Sequence, residues 1–358
     1  MVLRPEKIRR VVVRGVNWVG DAVMTVPALR ELRRILPGAH ITLATRAWAA
    51  GLFADADFLD EILPHQPHPN VARSVIQQAR AWRVRRFDLA LLLTNSFATA
   101  LVACAARVPA RVGYATDGRR WLLNQPVARP AWATERHEIY YYLNLVAELE
   151  QRLYGRDTIA QQEPRYQLSV PAPRQEQALK NLTQHAARST QHSLIFFCPG
   201  STNSRAKRWP VASYAQLGDM LAEKTGAQIV LIGAADEQEV SQAVAARMSQ
   251  PVINLTGHTT LAESVALLSQ ATALVTNDTG PAHIAAALGR PTFVIFGPTN
   301  PTTTRPYGPT VQIIREPPAC APCMLRDCPI DHRCMTAVTP EQVFQKMMND
   351  ESEGLSGE

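Results

Sequence analysis

Short apolar runs alternate with amphipathic stretches along the whole chain, and Gly, Pro, Asn or Asp punctuates most of the joins. In the first half the runs Arg10–Arg14, His40–Thr45, Glu61–Leu63, Asp88–Leu93 and Arg111–Tyr114 predict strands. Helical spacing near Pro27–Ile35, Val71–Val84 and Phe97–Ala106 predicts helices between them. The series restarts after about residue 165, with strands at Leu194–Phe197, Gln228–Ile232, Val252–Asn254, Ala273–Val275 and Thr292–Phe296. Its helices fall near Val211–Lys224, Glu237–Met248, Leu261–Leu268 and Pro281–Leu288. Such alternation builds βαβ units on a parallel sheet. Two similar series predict an α/β chain of two Rossmann-like domains, 1–165 and 166–358, facing a cleft. The join falls in Gln161–Arg174, where polar residues and Pro164, Pro171 and Pro173 interrupt the periodicity. A last helix near Gln342–Met348 is free to pack at home or to cross back onto the first domain. The acidic tail Asp350–Glu358 is expected to fray.

Composition narrows the class without naming a chemistry. A chain of 358 residues can bury two cores, and 46% hydrophobic with 19% charged residues is ordinary for a folded protein. The 37 basic and 31 acidic residues leave +6, a mild excess suited to a partner with phosphates or to an anionic membrane surface. No apolar run approaches the roughly 18 residues of a membrane span. No apolar signal region precedes Arg14 either, which predicts a cytoplasmic protein. Arg73, Arg80, Arg83, Arg85 and Arg86 are interleaved with Trp82, and Arg107, Arg111, Arg119, Arg120 and Arg129 follow. They form either a solvated helix surface or a face for an anionic acceptor or phospholipid. No nucleic-acid module accompanies them, so nucleic acid is not an expected partner.

The richest segment is Ala273–Leu288. Its apolar run breaks at Asn277-Asp278-Thr279-Gly280, Pro281 opens an Ala-rich helix, and Gly289 and Pro291 end it. The free N–H groups and positive dipole end of such a helix form an anion site. Asp278, Thr279, Gly280 and His283 surround it, a set suited to a diphosphate that carries a polar group such as a sugar. A well-capped helix with a core histidine would use the same residues. The turn's place at a strand's C-terminal end favours a ligand, since open α/β sheets bind ligands there.

Three further segments carry candidate chemistry. The loop Cys198–Pro210 contains Thr202, Asn203, Arg205, Lys207 and Arg208, small polar residues followed by cations, which fits a phosphate loop or a solvated basic loop. It is not a Walker sequence. The first strand runs into Gly15-Val16-Asn17-Trp18-Val19-Gly20-Asp21, with no GxGxxG. Asp21 there is either a general base aimed at the cleft or an N-cap, with the helix starting near Asp21 or nearer Thr25. Asp236 and Glu237 either bind ribose hydroxyls or cap a helix. Asp55-Ala56-Asp57 does not directly follow a buried strand, which argues against a metal-binding DxD.

Cys320, Cys323, Cys328 and Cys334, with His332 among them, crowd a loop marked by Pro318, Pro322 and Pro329. A structural zinc, two disulfides and free thiols all remain open. Cys104 and Cys198 lie in apolar surroundings and read as inert core residues.

Taken together, NWVGDAVMTVPALRELR (17–33), LLLTNSFATAL (91–101), RVGY (111–114), CPGSTNSRAKRWP (198–210), VTNDTGPAHIAAALGRP (275–291) and FGPTNP (296–301) resemble the lipopolysaccharide heptosyltransferases of glycosyltransferase family 9, most of all its heptosyltransferase II group. The resemblance covers nearly the whole chain. It implies a GT-B fold, with an acceptor domain first and an ADP-heptose domain second. It also implies inverting transfer to a heptose of the lipopolysaccharide inner core, without a metal or other cofactor. By the same resemblance Asp21 is the catalytic base. Thr202, Asn203, Lys207, Asp278, Thr279, Gly280 and His283 are the donor-binding residues, while Asn95 and Ser96 lie on the acceptor side. Contact with the inner-membrane surface fits such an acceptor. Other family members of types I or III, a nucleotide-sugar epimerase of the same fold and a non-catalytic nucleotide-binding protein are the alternatives.

Overall fold

The computed structural model describes residues 2–66, 68–184 and 193–354. The chain divides into two compact units, Met1–Gln167 and Leu168–Glu358.

Unit 1 contains the strands β1 Arg10–Arg14, β2 His40–Arg46, β3 Glu61–His65, β4 Leu89–Leu92, β5 Ala110–Tyr114 and β6 Gln125–Val127. Its helices are α1 Val19–Met24, α2 Val26–Ile35, α3 Val71–Arg85, α4 Phe97–Ala105 and α5 Glu138–Tyr154. The strands pair in the order β3-β2-β1-β4-β5-β6, all parallel. Val11–Val13 and Leu89–Leu92 are buried on both faces, which is why they read as unbroken apolar runs. On α2, Leu29, Leu32 and Ile35 face the core while Arg30, Arg33 and Arg34 bond outward partners.

Unit 2 repeats the plan. It contains α6 Ala172–Gln184, β7 Leu194–Cys198, α7 Val211–Thr225, β8 Gln228–Leu231, α8 Gln238–Ala245 and β9 Val252–Asn254. There follow α9 Leu261–Leu268, β10 Ala273–Asn277, α10 Gly280–Ala287, β11 Thr292–Ile295, α11 Pro301–Thr304 and β12 Val311–Ile314. The short α12 Arg333–Thr336 and the long α13 Pro340–Gly354 close the chain. The strand order is β12-β11-β10-β7-β8-β9, again all parallel. Each sheet therefore reverses its winding beside its own first strand, between β1 and β4 and between β7 and β10. Loops leaving the C-terminal ends of those pairs diverge and leave a crevice for a ligand. The α/β class and the two Rossmann-like units agree with the sequence reading.

Several elements differ from expectation. The 17-residue α5 was not predicted. It begins on His137, whose Nδ1 accepts from Ile139 N–H at 3.3 Å, and ends on Gly155 at φ +70°. That left-handed corner suits Gly, which has no Cβ to clash. The edge strands β6 and β12 also escaped prediction, and β6 carries Pro126 where an edge tolerates it. Pro171–Arg174 is no simple linker, for α6 starts at Ala172 and Arg174 Nη2 donates to the Ala262 carbonyl at 2.8 Å. The last helix, α13, packs on α7, and Val343 and Met347 enter the unit 2 core. It also runs on to Gly354, through the first part of the expected frayed tail. The rest of that tail, 355–358, lies outside the described residues. Among the described residues no helix is long and apolar enough to cross a membrane.

Candidate active site

The turn after β10 and the loop after β7 leave adjacent strands at the winding reversal of unit 2, and Asn277 binds them together. Its side chain is fully buried. Nδ2 donates to the Pro199 and Gly200 carbonyls at 2.9 and 3.1 Å, and Oδ1 accepts from Trp209 N–H at 2.9 Å and Tyr214 O–H at 3.1 Å. One amide thus satisfies four polar groups across two turns. Asn277→Ala is expected to lower the stability of unit 2 by about 2–3 kcal/mol, the cost of stranding buried backbone groups. The urea midpoint would move with unchanged m.

Onto this brace are mounted the charged groups. Lys207 Nζ lies 2.8 Å from Asp278 Oδ2 and 3.1 Å from the Asp278 carbonyl oxygen. Thr299 Oγ1 donates to the same Oδ2 at 2.7 Å. The Asp278 side chain is 5% exposed and that of Lys207 25%, so a part-exposed lysine covers a sunken carboxylate. Two of the three ammonium protons are engaged and one remains for an incoming oxygen. Thr279 is the N-cap of α10 without a side-chain capping bond; its Oγ1 lies 3.3 Å from the Asn277 carbonyl oxygen. Gly280 and Pro281 form the first turn, and His283, the fourth residue of α10, is buried. Thr202 and Asn203 lie exposed on the loop after β7.

Glu237 caps the turn after β8 from within the loop. Its Oε2 accepts from Ala234 N–H at 2.8 Å, and Thr202 Oγ1 lies 3.5 Å from Oε1. Burial pushes this carboxyl above its ordinary range. A Cβ on Gly200 would stand 2.3 Å from Glu237 Cδ, so Gly200 is what allows the carboxyl beneath the loop.

The cysteine-rich segment braces the same loop from outside, which the sequence did not suggest. Ala206 N–H donates to the Arg326 carbonyl at 2.9 Å, Ser204 Oγ to the same oxygen at 3.2 Å, and His332 Nε2 to the Ala206 carbonyl at 2.6 Å. All six cysteines are free. Cys334 differs from its neighbours: it is buried on α12 beside Met335, in the unit 2 core. Among the described residues no group of three or more His, Cys, Asp or Glu is arranged to hold a metal ion.

In unit 1 Asp21 and Asn95 follow β1 and β4, the strand pair at the winding reversal. Asp21 is the third residue of α1 and the N-cap is Trp18, so the capping alternative for Asp21 is corrected. The helix that carries Pro27 starts nearer Thr25: a separate α1 ends at Met24, Thr25 links, and α2 follows with Pro27 at its second position, so no single helix runs from Asp21 through Pro27. The α1 helix packs on α5, and burial followed by the charges of Asp21 and Glu138 pushes the Tyr142 phenol well above its usual range. Glu138, hydrogen-bonded to Tyr142, is itself raised by burial. Neither Glu138 nor Tyr142 was singled out from the sequence. Asn95 is engaged: Nδ2 donates to Tyr141 Oη at 2.9 Å and Oδ1 accepts from Arg119 Nη2 at 3.1 Å. Ser96 is the exposed N-cap of α4 and makes no side-chain cap.

The basic stretch is less uniform than it reads. Trp82 is buried against Val75 and Ala79, Arg85 pairs with Glu61 at 3.0 Å, and Arg119 is wholly buried on the Thr94 and Tyr114 carbonyls. Arg73, Arg80 and Arg83 stay exposed on α3. Asp57 pairs with Arg30 at 3.0 Å.

The profile of glycosyltransferase family 9 (heptosyltransferase) matches residues 75–333, most of the chain. The chain belongs to glycosyltransferase family 9. It is a glycosyltransferase of the heptosyltransferase kind. The lipopolysaccharide heptosyltransferase 2 of Salmonella typhimurium is 32% identical over 321 residues, 86% of this chain and 88% of that protein. The lipopolysaccharide heptosyltransferase 2 of Escherichia coli K12 is 30% identical over 355 residues, covering 94% and 97%. The solved E. coli ADP-heptose lps heptosyltransferase II superposes with TM-score 0.79 at 28% identity, covering 95% of this chain and 98% of that one. The two-unit family 9 architecture, GT-B, is thus the fold of this chain.

Proposed function

We propose that the chain moves L-glycero-D-manno-heptose from ADP-heptose to a heptose of the lipopolysaccharide inner core, inverting the anomeric centre, as heptosyltransferase II does. The observation that carries this reading is Lys207 held on Asp278 above the start of α10, at the winding reversal of unit 2. Unit 2 binds the donor. The diphosphate rests on the Lys207 ammonium and on the N–H groups of Thr279 and Gly280, with Thr202 and Asn203 at its edge and His283 donating from below. These donors act on charge that grows as ADP departs, where fixed dipoles lower a barrier most.

Unit 1 binds the acceptor, with Asp21 as base and Asn95 and Ser96 on the acceptor side. Asp21 takes the proton of the acceptor hydroxyl as its oxygen bonds to the anomeric carbon. The bond from that carbon to the diphosphate oxygen breaks on the opposite face, and ADP leaves with the electron pair. Lys207 and the helix start supply the charge that a metal supplies elsewhere, so the transfer needs none. The acceptor is amphiphilic, and exposed Arg73, Arg80 and Arg83 suit a peripheral contact with the cytoplasmic face of the inner membrane.

Purified protein incubated with ADP-heptose and defined core acceptors is expected to yield acceptor plus one heptose by mass, at the same rate in excess EDTA. Conversion of the donor without acceptor would identify an epimerase, and ADP binding without product a non-catalytic protein. Preference for an acceptor of another length would mark a type I or III enzyme. Loss of rate in EDTA, restored by Mg2+ or Mn2+, would overturn the metal-free step.

A further inference from the structure

Three adjacent strands of unit 1 end in groups that carry or can carry positive charge. Arg14 closes β1, Arg46 closes β2 and His65 closes β3, and the parallel register sets Arg46 beside His65. Arg14 is only 7% exposed. Its Nη1 donates to Gln78 Oε1 at 2.7 Å and stands 3.2 Å from His65 Nδ1, its Nη2 stands 2.8 Å from His65 Nε2, and its Nε is buried without a partner. Arg46 Nε donates to Asn17 Oδ1 at 3.1 Å. Among the described residues neither guanidinium meets a carboxylate.

The donors here outnumber the acceptors. Burial first, then Arg14 and Arg46, lowers His65 to about 4, so its ring is neutral near pH 7. A neutral imidazole has one remaining lone pair, so only one of the two close Arg14 approaches is a hydrogen bond. Burial and the charge of Arg46 likewise lower Arg14 to about 10, still protonated. A buried guanidinium short of acceptors is costly unless something anionic completes it. Next to it lies a cavity of about 190 Å³, lined by His65, Gln66, Gln77 and Gln78 over Leu63 and Trp82.

We propose that this strand-end cluster of Arg14, Arg46 and His65 is an oxyanion site for a phosphate monoester or carboxylate carried by the acceptor. It rests on the reading of unit 1 as the acceptor unit. It is separate from the diphosphate site, which belongs to unit 2. Arg46, half-buried at the edge, offers the direct charge; Arg14 and Gln78 hold His65 and set the field behind it. A phosphate monoester and a carboxylate satisfy the same donors, so their sources must be separated by experiment.

Inorganic phosphate titrated into the full chain at low ionic strength, with the His65 ring followed by NMR, is expected to give a saturable shift. Arg46→Gln, which removes the direct charge, should weaken that binding at least tenfold, and Arg14→Gln should weaken it less; Arg46→Gln keeps the buried residue in place should Arg14→Gln fail to fold. In turnover, Arg46→Gln should raise KM for the native acceptor about tenfold or more, leaving KM for ADP-heptose alone. Wild type should meet the same rise when the responsible group is removed, by phosphatase if a phosphate, by esterification if a carboxylate. Unmoved His65 signals in the wild type, or equal acceptor KM in the variant, would overturn the site. A saturable phosphate shift in a protein that transfers no heptose would leave the site standing while sinking the transferase reading.

Discussion

Asp21→Asn is expected to lower kcat by about 10³–10⁴-fold while the Kd for ADP moves less than twofold. Removing a positioned general base forfeits roughly 10²–10⁴ of rate. The upper part of that range applies because an acceptor hydroxyl is a weak nucleophile until its proton leaves. The substitution keeps the shape of the side chain, and Asp21 is the third residue of α1, with the N-cap role held by Trp18. A carboxylate that only served the helix start would contribute about 0.3–1 kcal/mol of stability through the dipole. That role predicts a small shift in unfolding and almost no change in turnover. The proposed donor groups Lys207, Thr279 and Gly280 belong to unit 2, and Asp21 to unit 1. Rapid-quench measurement of transfer beside calorimetry of ADP separates the two. Parallel loss of binding and turnover would return Asp21 to a structural part.

Much of the frame was legible because parallel strands buried on both faces are written as unbroken apolar runs, and Val11–Val13 and Val275 lie in such runs. The helix start at Gly280 was legible for another reason: Pro281 and Gly289 punctuate it locally, within one turn of each end. What escaped depends on distant partners. Asn277 looks like any turn residue, yet its partners Trp209 and Pro199 lie 68 and 78 positions away. Arg14 ends a strand where solvent is the ordinary expectation, and only the fold lays His65 and Gln78 over it. Arg119 and Trp82 read as surface and are buried. The α5 helix is a different kind of miss. Ile139, Tyr142, Val146, Leu149 and Leu153 follow helical spacing, and that face brings Tyr142 toward Asp21.

Lys207→Met is expected to cut kcat/KM by about 10²–10³-fold, the scale of losing one preorganised donor to a developing oxyanion. It should also destabilise unit 2, because Asp278 is 5% exposed and would keep only Thr299 as a partner for Oδ2. Breaking a fully buried pair by removing one ion costs about 3–5 kcal/mol. This pair is one-sided in its burial, so a smaller loss is expected. The two effects can be parted by a second substitution. Asp278→Asn removes the stranded charge while Thr299 can still donate to its side-chain oxygen, so Lys207→Met with Asp278→Asn should recover most of the stability. Activity should not return, since the cation proposed to meet the diphosphate is still missing. A cycle of the two single variants and the double, read by urea unfolding and by kcat/KM, makes that division measurable. Recovery of activity together with stability would mean that Lys207 serves only to neutralise Asp278. The charge on the leaving diphosphate would then have to be met by the start of α10 alone.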